Sequence, residues 1–153
     1  MLINQQLSKN FDLVELTQSQ SAARLGIDNT PTEAIIENLR ALAKNVLQPL
    51  RDLARTPIVI SSGYRSEELN RAIGGAGKSE HMTGCAADLT IPGRSNLETA
   101  ELIKNKLQFN QLILEFYRAD NPFYGWVHVS YSEEGNRQEV LTFDGKNYVR
   151  GLG

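Results

Sequence analysis

One apolar stripe constrains this chain more than any other feature. In "NTPTEAIIENLRALAKNVLQPLRDLAR", Ile35, Leu39, Leu42, Val46, Leu50 and Leu53 recur every three or four residues. That spacing puts them on one face of a long helix, which is stable in water only if another layer covers it. Thr30, Pro31 and Glu33 sit as the N-cap, first and third positions of a capping box, so the helix is expected to start there. Pro49 lies inside the pattern and should kink or split it. Two shorter helical segments are expected across residues 10–26, stopped by Gly26.

The covering layer is read from the second half. "TPIVISSGYRS" reads as a short strand, Ile58 to Ile60, running into a loop. Ser66 caps a short helix ending near Gly74, and "GGAGKSEHMTG" is a glycine-rich loop. "AADLTI" is then a strand, and Ser95 with Glu98 opens the helix "NLETAELIKNKL". "QLILEF" and "WVHVSY" read as strands joined by a polar turn region. "EVLTF" and "KNYVR" flank Asp144-Gly145, a two-residue hairpin signal. Helices come first and strands mostly second, so the expectation is an α+β fold with helices on a mostly antiparallel sheet. At 153 residues the chain is expected to form a single domain, 1–153, large enough for a real core.

Composition narrows the function classes. Sixteen basic and eighteen acidic residues give a net charge of −2, without a basic block. That argues against nucleic acid or an anionic membrane as a partner. No apolar run is long enough for a transmembrane segment. "MLINQQLSKNFDLVEL" lacks the pattern of a secretory signal, so a cytoplasmic location as synthesised is expected. Cys85 is the one cysteine, which excludes an internal disulfide and a thiol-rich zinc site. It reads as a small packing residue.

The chemistry is sought at the two histidines. His81 and Asp88 lie in "SEHMTGCAADL", where small residues allow close backbone approach. His128 lies in "GWVHVSY", where alternation puts Trp126, His128 and Ser130 on the face opposite Val127 and Val129. Zinc accepts His nitrogen and carboxylate oxygen, and catalytic sites use three such ligands plus a water. His81, Asp88 and His128 are the candidate set. Gln111, Ile113 and Glu115 share a strand face, so Glu115 is placed to reach the space beside His128 as a general base. Arg65, in "SSGYRS", is a candidate for holding a carbonyl oxygen, and Ser79 for bonding substrate. Tyr64 and Trp126 are candidates for walling a pocket. Each has a plainer structural reading, since spacing alone matches many chains.

"SSGYRSEELNRAIGG", "SEHMTGCAADL" and "WVHVSY" together resemble the signature segments of the zinc D-alanyl-D-alanine carboxypeptidase family, in its short single-domain form. The resemblance implies the fold shared with the hedgehog signalling domain, one zinc ion on His81, Asp88 and His128, and Arg65 as oxyanion stabiliser. Ser79 corresponds to the serine before the family's first histidine. The implied substrate is a peptidoglycan peptide containing D-amino acids, cut by a carboxypeptidase or an endopeptidase. A monomer is expected, and a phage-type lysis partner giving access to the wall would reconcile that substrate with the missing export signal. One position departs from the pattern. Many members carry a catalytic acid three residues before the last histidine, where this chain has Gly125. Glu115 is the best substitute and Asp120 the second. That gap keeps a second reading open, a zinc-stabilised module that binds cell-wall peptides without cutting them.

Overall fold

The computed structural model describes residues 3–153. The chain forms a short two-stranded ribbon, a helical layer and a six-stranded sheet, the α+β layout expected from the sequence. Strands β1 (Gln6–Ser8) and β2 (Phe11–Asp12) make the ribbon, and α1 (Gln20–Leu25) follows. Only the second of the two helical segments expected over 10–26 is a helix. Residues 13–17 instead form turns held from outside: Asn4 accepts from the Val14 amide, and Asp12 accepts from the Glu15 amide. Gly26 does stop α1, at φ 67°.

The long helix comes in three pieces: α2 (Glu33–Leu42), a π-helical turn (Ala43–Leu47) and α3 (Gln48–Ala54). Its N-cap is Thr32, whose hydroxyl accepts from the Ile35 amide, and not Thr30. The Thr30 amide is already bound to Asp28, which holds that segment in a turn. Pro49 changes the pitch without breaking the rod. The π turn lets the Gln48 amide reach back to Ala43, and Pro49 enters at the start of α3, where its missing N–H matters least. The widened turn also rotates the stripe. Ile36, Leu39, Leu42, Val46, Leu47 and Leu50 are buried, while Leu53 ends up 44% exposed.

The sheet runs in the order β3-β4-β6-β5-β7-β8. Its strands are β3 (Val59–Ser62), β4 (Ala86–Thr90), β5 (Gln111–Glu115), β6 (Trp126–Ser130), β7 (Glu139–Phe143) and β8 (Tyr148–Arg150). All neighbours pair antiparallel except β5 and β7, which run parallel. The short helix α4 (Glu67–Ala72) starts at Ser66, and α5 (Asn96–Lys106) starts at Ser95, whose hydroxyl bonds both the amide and the carboxylate of Glu98. The β7–β8 loop is wider than a two-residue turn, because Phe143 pairs with Tyr148. Asp144 closes it by accepting from the amides of Lys146 and Asn147.

Alternation divides the sheet into two faces. Ala87, Leu89, Leu112, Leu114, Val127 and Val129 point at Leu39, Val46, Leu50, Ile103 and Phe109, and together they form the core. The intervening residues, Asp88, Ile113, Glu115, Trp126 and His128, therefore share the opposite face. Burying one face against the helices fixes strand register, and register is what assembles the other face.

Candidate metal centre and cleft

Two ladders and one turn bring the polar residues together. Asp88 on β4 pairs directly with His128 on β6, and His128 pairs on its other side with Ile113 of β5. His81 arrives from a 3₁₀ turn, Glu80–Thr83. Ser79 caps that turn, its hydroxyl accepting from the His81 amide at 3.2 Å. Gly84 ends it at φ 77°, where a Cβ would press on Ile35. Glycine is thus needed there for both conformation and close approach.

His81, Asp88 and His128 are all buried. Asp88 Oδ1 lies 3.2 Å from His81 Nε2 and 3.0 Å from His128 Nδ1. One ligand atom from each residue lies within 4.8 Å of the others. Around a tetrahedral ion with bonds of about 2.0–2.1 Å, neighbouring donor atoms stand roughly 3.3 Å apart. The observed spacings match that.

Tautomer chemistry points the same way. His81 Nδ1 donates to the Gly63 carbonyl at 2.8 Å, since a carbonyl only accepts. In the neutral ring this leaves a lone pair on Nε2, aimed at a carboxylate oxygen. A lone pair facing an anion calls for a cation between them, and a backbone carbonyl fixing the far nitrogen is how metal-binding histidines are usually held. Asp88 is well prepared as the anionic partner. Burial alone would raise its pKa, but when the two rings carry protons on the nitrogens that face it, hydrogen bonds from His128 and His81, with their charge, outweigh that and hold it well below the ordinary carboxylate value. The donor set fits a small divalent ion that accepts nitrogen and oxygen ligands.

The cluster sits in a cleft of about 980 Å³. Arg65, Ser79, Glu115 and Trp126 line the same cleft. Glu115 stands opposite Trp126 in the β5–β6 ladder, one same-face step from the His128 pair. Burial raises the Glu115 pKa, the charge of His128 lowers it, Asp88 raises it and Arg65 lowers it, with a net rise. The Arg65 amide bonds the His81 carbonyl at 3.0 Å, and its Nη2 donates to Ser79 Oγ at 3.2 Å. Its Nε is buried and has no acceptor among the described residues. Burial presses the Arg65 pKa down, opposed by the charges of Asp88 and Glu115. The Ser79 oxygen is thus already occupied by the His81 amide and Arg65.

Two expected residues lie elsewhere. Tyr64 is packed in the core and lines a separate hollow beside α1 and β3. Arg65 borders that hollow as well as the cleft, whereas Tyr64 does not line the cleft. Asp120 is exposed and bound to Arg118 at 2.9 and 3.2 Å, and it does not line the cleft. Other residues at the site escaped notice in the sequence. Asn29 ties the Arg65 loop down, donating to the carbonyls of Thr17 and Tyr64 and accepting from the Ser66 amide. Asn110 donates to Glu80 at 2.9 Å and accepts from Arg137, joining the His81 turn to the chain ahead of β7. A lone asparagine in a polar stretch carries no periodic signal that would single it out.

A search of curated proteins finds no match to this chain. The family model described as Peptidase M15 matches residues 9–130, a span that holds the whole His81–Asp88–His128 cluster together with Arg65 and Glu115. With most of its length matched and a metal-competent cluster inside the match, the chain belongs to the M15 peptidase family.

Proposed function

We propose that this chain is a zinc metallopeptidase that hydrolyses peptidoglycan stem peptides or cross-links involving D-amino acids, as a D-Ala-D-Ala-type carboxypeptidase or as an endopeptidase. The observation that carries the reading is the buried His81–Asp88–His128 cluster converging in an open cleft, beside a carboxylate and a guanidinium. When bound, zinc supplies Lewis acidity and lowers the pKa of a water it holds from 15.7 to about 7. Glu115 takes the proton of the attacking water and passes it to the leaving amine. The net rise in its pKa brings its proton affinity nearer to neutral pH, which suits both transfers. Arg65 donates to the oxyanion that develops at the scissile carbonyl, and its place in the cleft beside the cluster favours that role. Ser79 holds Arg65 and the His81 turn in place. Trp126 walls the cleft.

Elemental analysis tests the metal assignment directly. About one zinc per chain is expected, lost in His81→Ala. A protein that neither holds nor takes up zinc would sink the peptidase reading. Arg65→Ala should lower turnover about 10²–10³-fold with zinc retained. Near-normal turnover on muropeptides in that variant would remove Arg65 from the mechanism.

A second reading has one observation in its favour. Gly125 leaves no acid where many relatives are expected to carry one, so a zinc-stabilised module that binds cell-wall peptides without cutting them would show the same cluster. Zinc content with binding of muropeptides, and no cleavage under any condition, would favour it. Among the described residues no helix is long and apolar enough to cross a membrane. Access to the wall through a phage-type lysis partner, and action as a monomer, belong to this proposal.

A further inference from the structure

The peptidase reading assigns nothing to the rings that carry the cleft outward beyond Glu115 and Trp126. The cleft follows β5 from Gln111 to Glu115, and its two ends differ. Lys78, Glu80, Asn110 and Arg137 make the first end polar. The second end is a row of rings. Trp126 lies 5.1 Å from Phe116, Phe116 lies 5.1 Å from Phe143, and Phe143 stacks on Tyr148 at 4.4 Å. Phe116 and Trp126 also line a neighbouring hollow with Tyr124, so the cleft continues over these rings onto the outer surface.

Tyr124 and Tyr148 are 48% and 58% exposed, and the Arg118 guanidinium sits 5.3 Å over the Tyr124 ring. Contiguous exposed rings beside a cleft mark a binding surface more often than chance packing. Phe116 adds an independent sign. It adopts φ 54°, a conformation rare for a bulky residue, and such strain gathers at ligand sites. Phe143 and Tyr148 lie beyond the span matched by the family model, so this chain's β7–β8 hairpin builds part of the rim.

We propose that the rim of Tyr124, Trp126 and Tyr148 binds the amino-sugar strand of the polymer whose peptide enters the cleft. The inference rests on the peptidoglycan reading above, in which every stem peptide is anchored to sugar. A pyranose offers an apolar face of C–H groups and a fringe of hydroxyls. Flat rings match the face, while phenol hydroxyls and the Arg118 guanidinium match the fringe. Reach agrees. Trp126 lies two residues from His128, about 7 Å along the strand. A stem of about three or four extended residues, each spanning roughly 3.3–3.6 Å, carries the chain from the cluster past Trp126 to the outer rings.

The chain's single tryptophan stands in the proposed site and reports on it. Titrating the full chain with the N-acetylglucosamine trisaccharide should change Trp126 emission to saturation. Tyr124→Ala and Tyr148→Ala should each weaken binding about five- to ten-fold. Tyr124 lies in a loop outside every strand, so its variant keeps the test open if Tyr148→Ala disturbs β8. Emission unchanged by the trisaccharide overturns the proposal, and so does binding undiminished in both variants. A response to a stem peptide alone, with none to the sugar, assigns the rim to peptide and also overturns it. The readout needs no turnover. Muropeptides cut by a chain that ignores the sugar would remove the rim alone, while sugar bound by a chain that cuts nothing would remove the peptidase reading alone.

Discussion

Glu115→Gln should keep the fold and the zinc and lose about 10²–10⁴-fold in hydrolysis. The amide has nearly the shape of the carboxylate but cannot take the water's proton. Its position explains the expected size. Glu115 ends β5 opposite Trp126, on the sheet face that carries Asp88 and His128, and it lines the cleft with them. It is not one of the three clustered candidate ligands, so zinc content should be unchanged. Measuring kcat on muropeptides alongside metal content separates the outcomes. Lost zinc would make Glu115 part of the metal site. Near-normal turnover would move the base elsewhere. Asp120→Asn is the matching control and should leave turnover unchanged, because Asp120 is committed to Arg118 outside the cleft.

Gly125→Asp should fold poorly, with a loss of about 3–5 kcal/mol in stability. The substitution places an acid where many relatives are expected to have one, yet the backbone forbids it. Gly125 sits at φ 83°, which costs any L-residue roughly 1–2 kcal/mol. A Cβ there would also overlap the carbonyl oxygen of Glu115. Relief would require β5 and β6 to part at the pair that positions Glu115, so stability and activity should fall together. The midpoint of denaturant unfolding reads the first and muropeptide turnover the second. A variant that folds normally and gains activity would return the base to position 125. Gly125 and Glu115 therefore exclude each other's alternatives: close packing of the strands places one acid and bars the other.

Much of the architecture was legible along the chain because it is local. Ser66 and Ser95 cap helices, Gly26 stops one, and strand alternation in "WVHVSY" puts His128 opposite the core valines, all through contacts a few residues apart. Where a helical pattern met other demands of the chain, it gave way. Residues 13–17 form turns, with the Val14 amide held by Asn4, and the Leu53 end of the stripe turned outward where a π turn absorbed Pro49.

The site divides in the same way. The sequence by itself determined which residues could serve: two histidines, an aspartate after a run of small residues, an arginine in a loop, and the family those motifs mark. It could not determine distances. The pairing of Asp88 with His128 is a property of a ladder between strands 40 residues apart in the chain, and the 2.8 Å bond that leaves His81 Nε2 facing Asp88 comes from the Gly63 carbonyl. The packing of Tyr64 into the core, and the place of Asp120 outside the cleft, were likewise tertiary outcomes. The physical reason is that register is set by burying the opposite face of the sheet. The apolar residues of one face therefore decide where the polar residues of the other face meet.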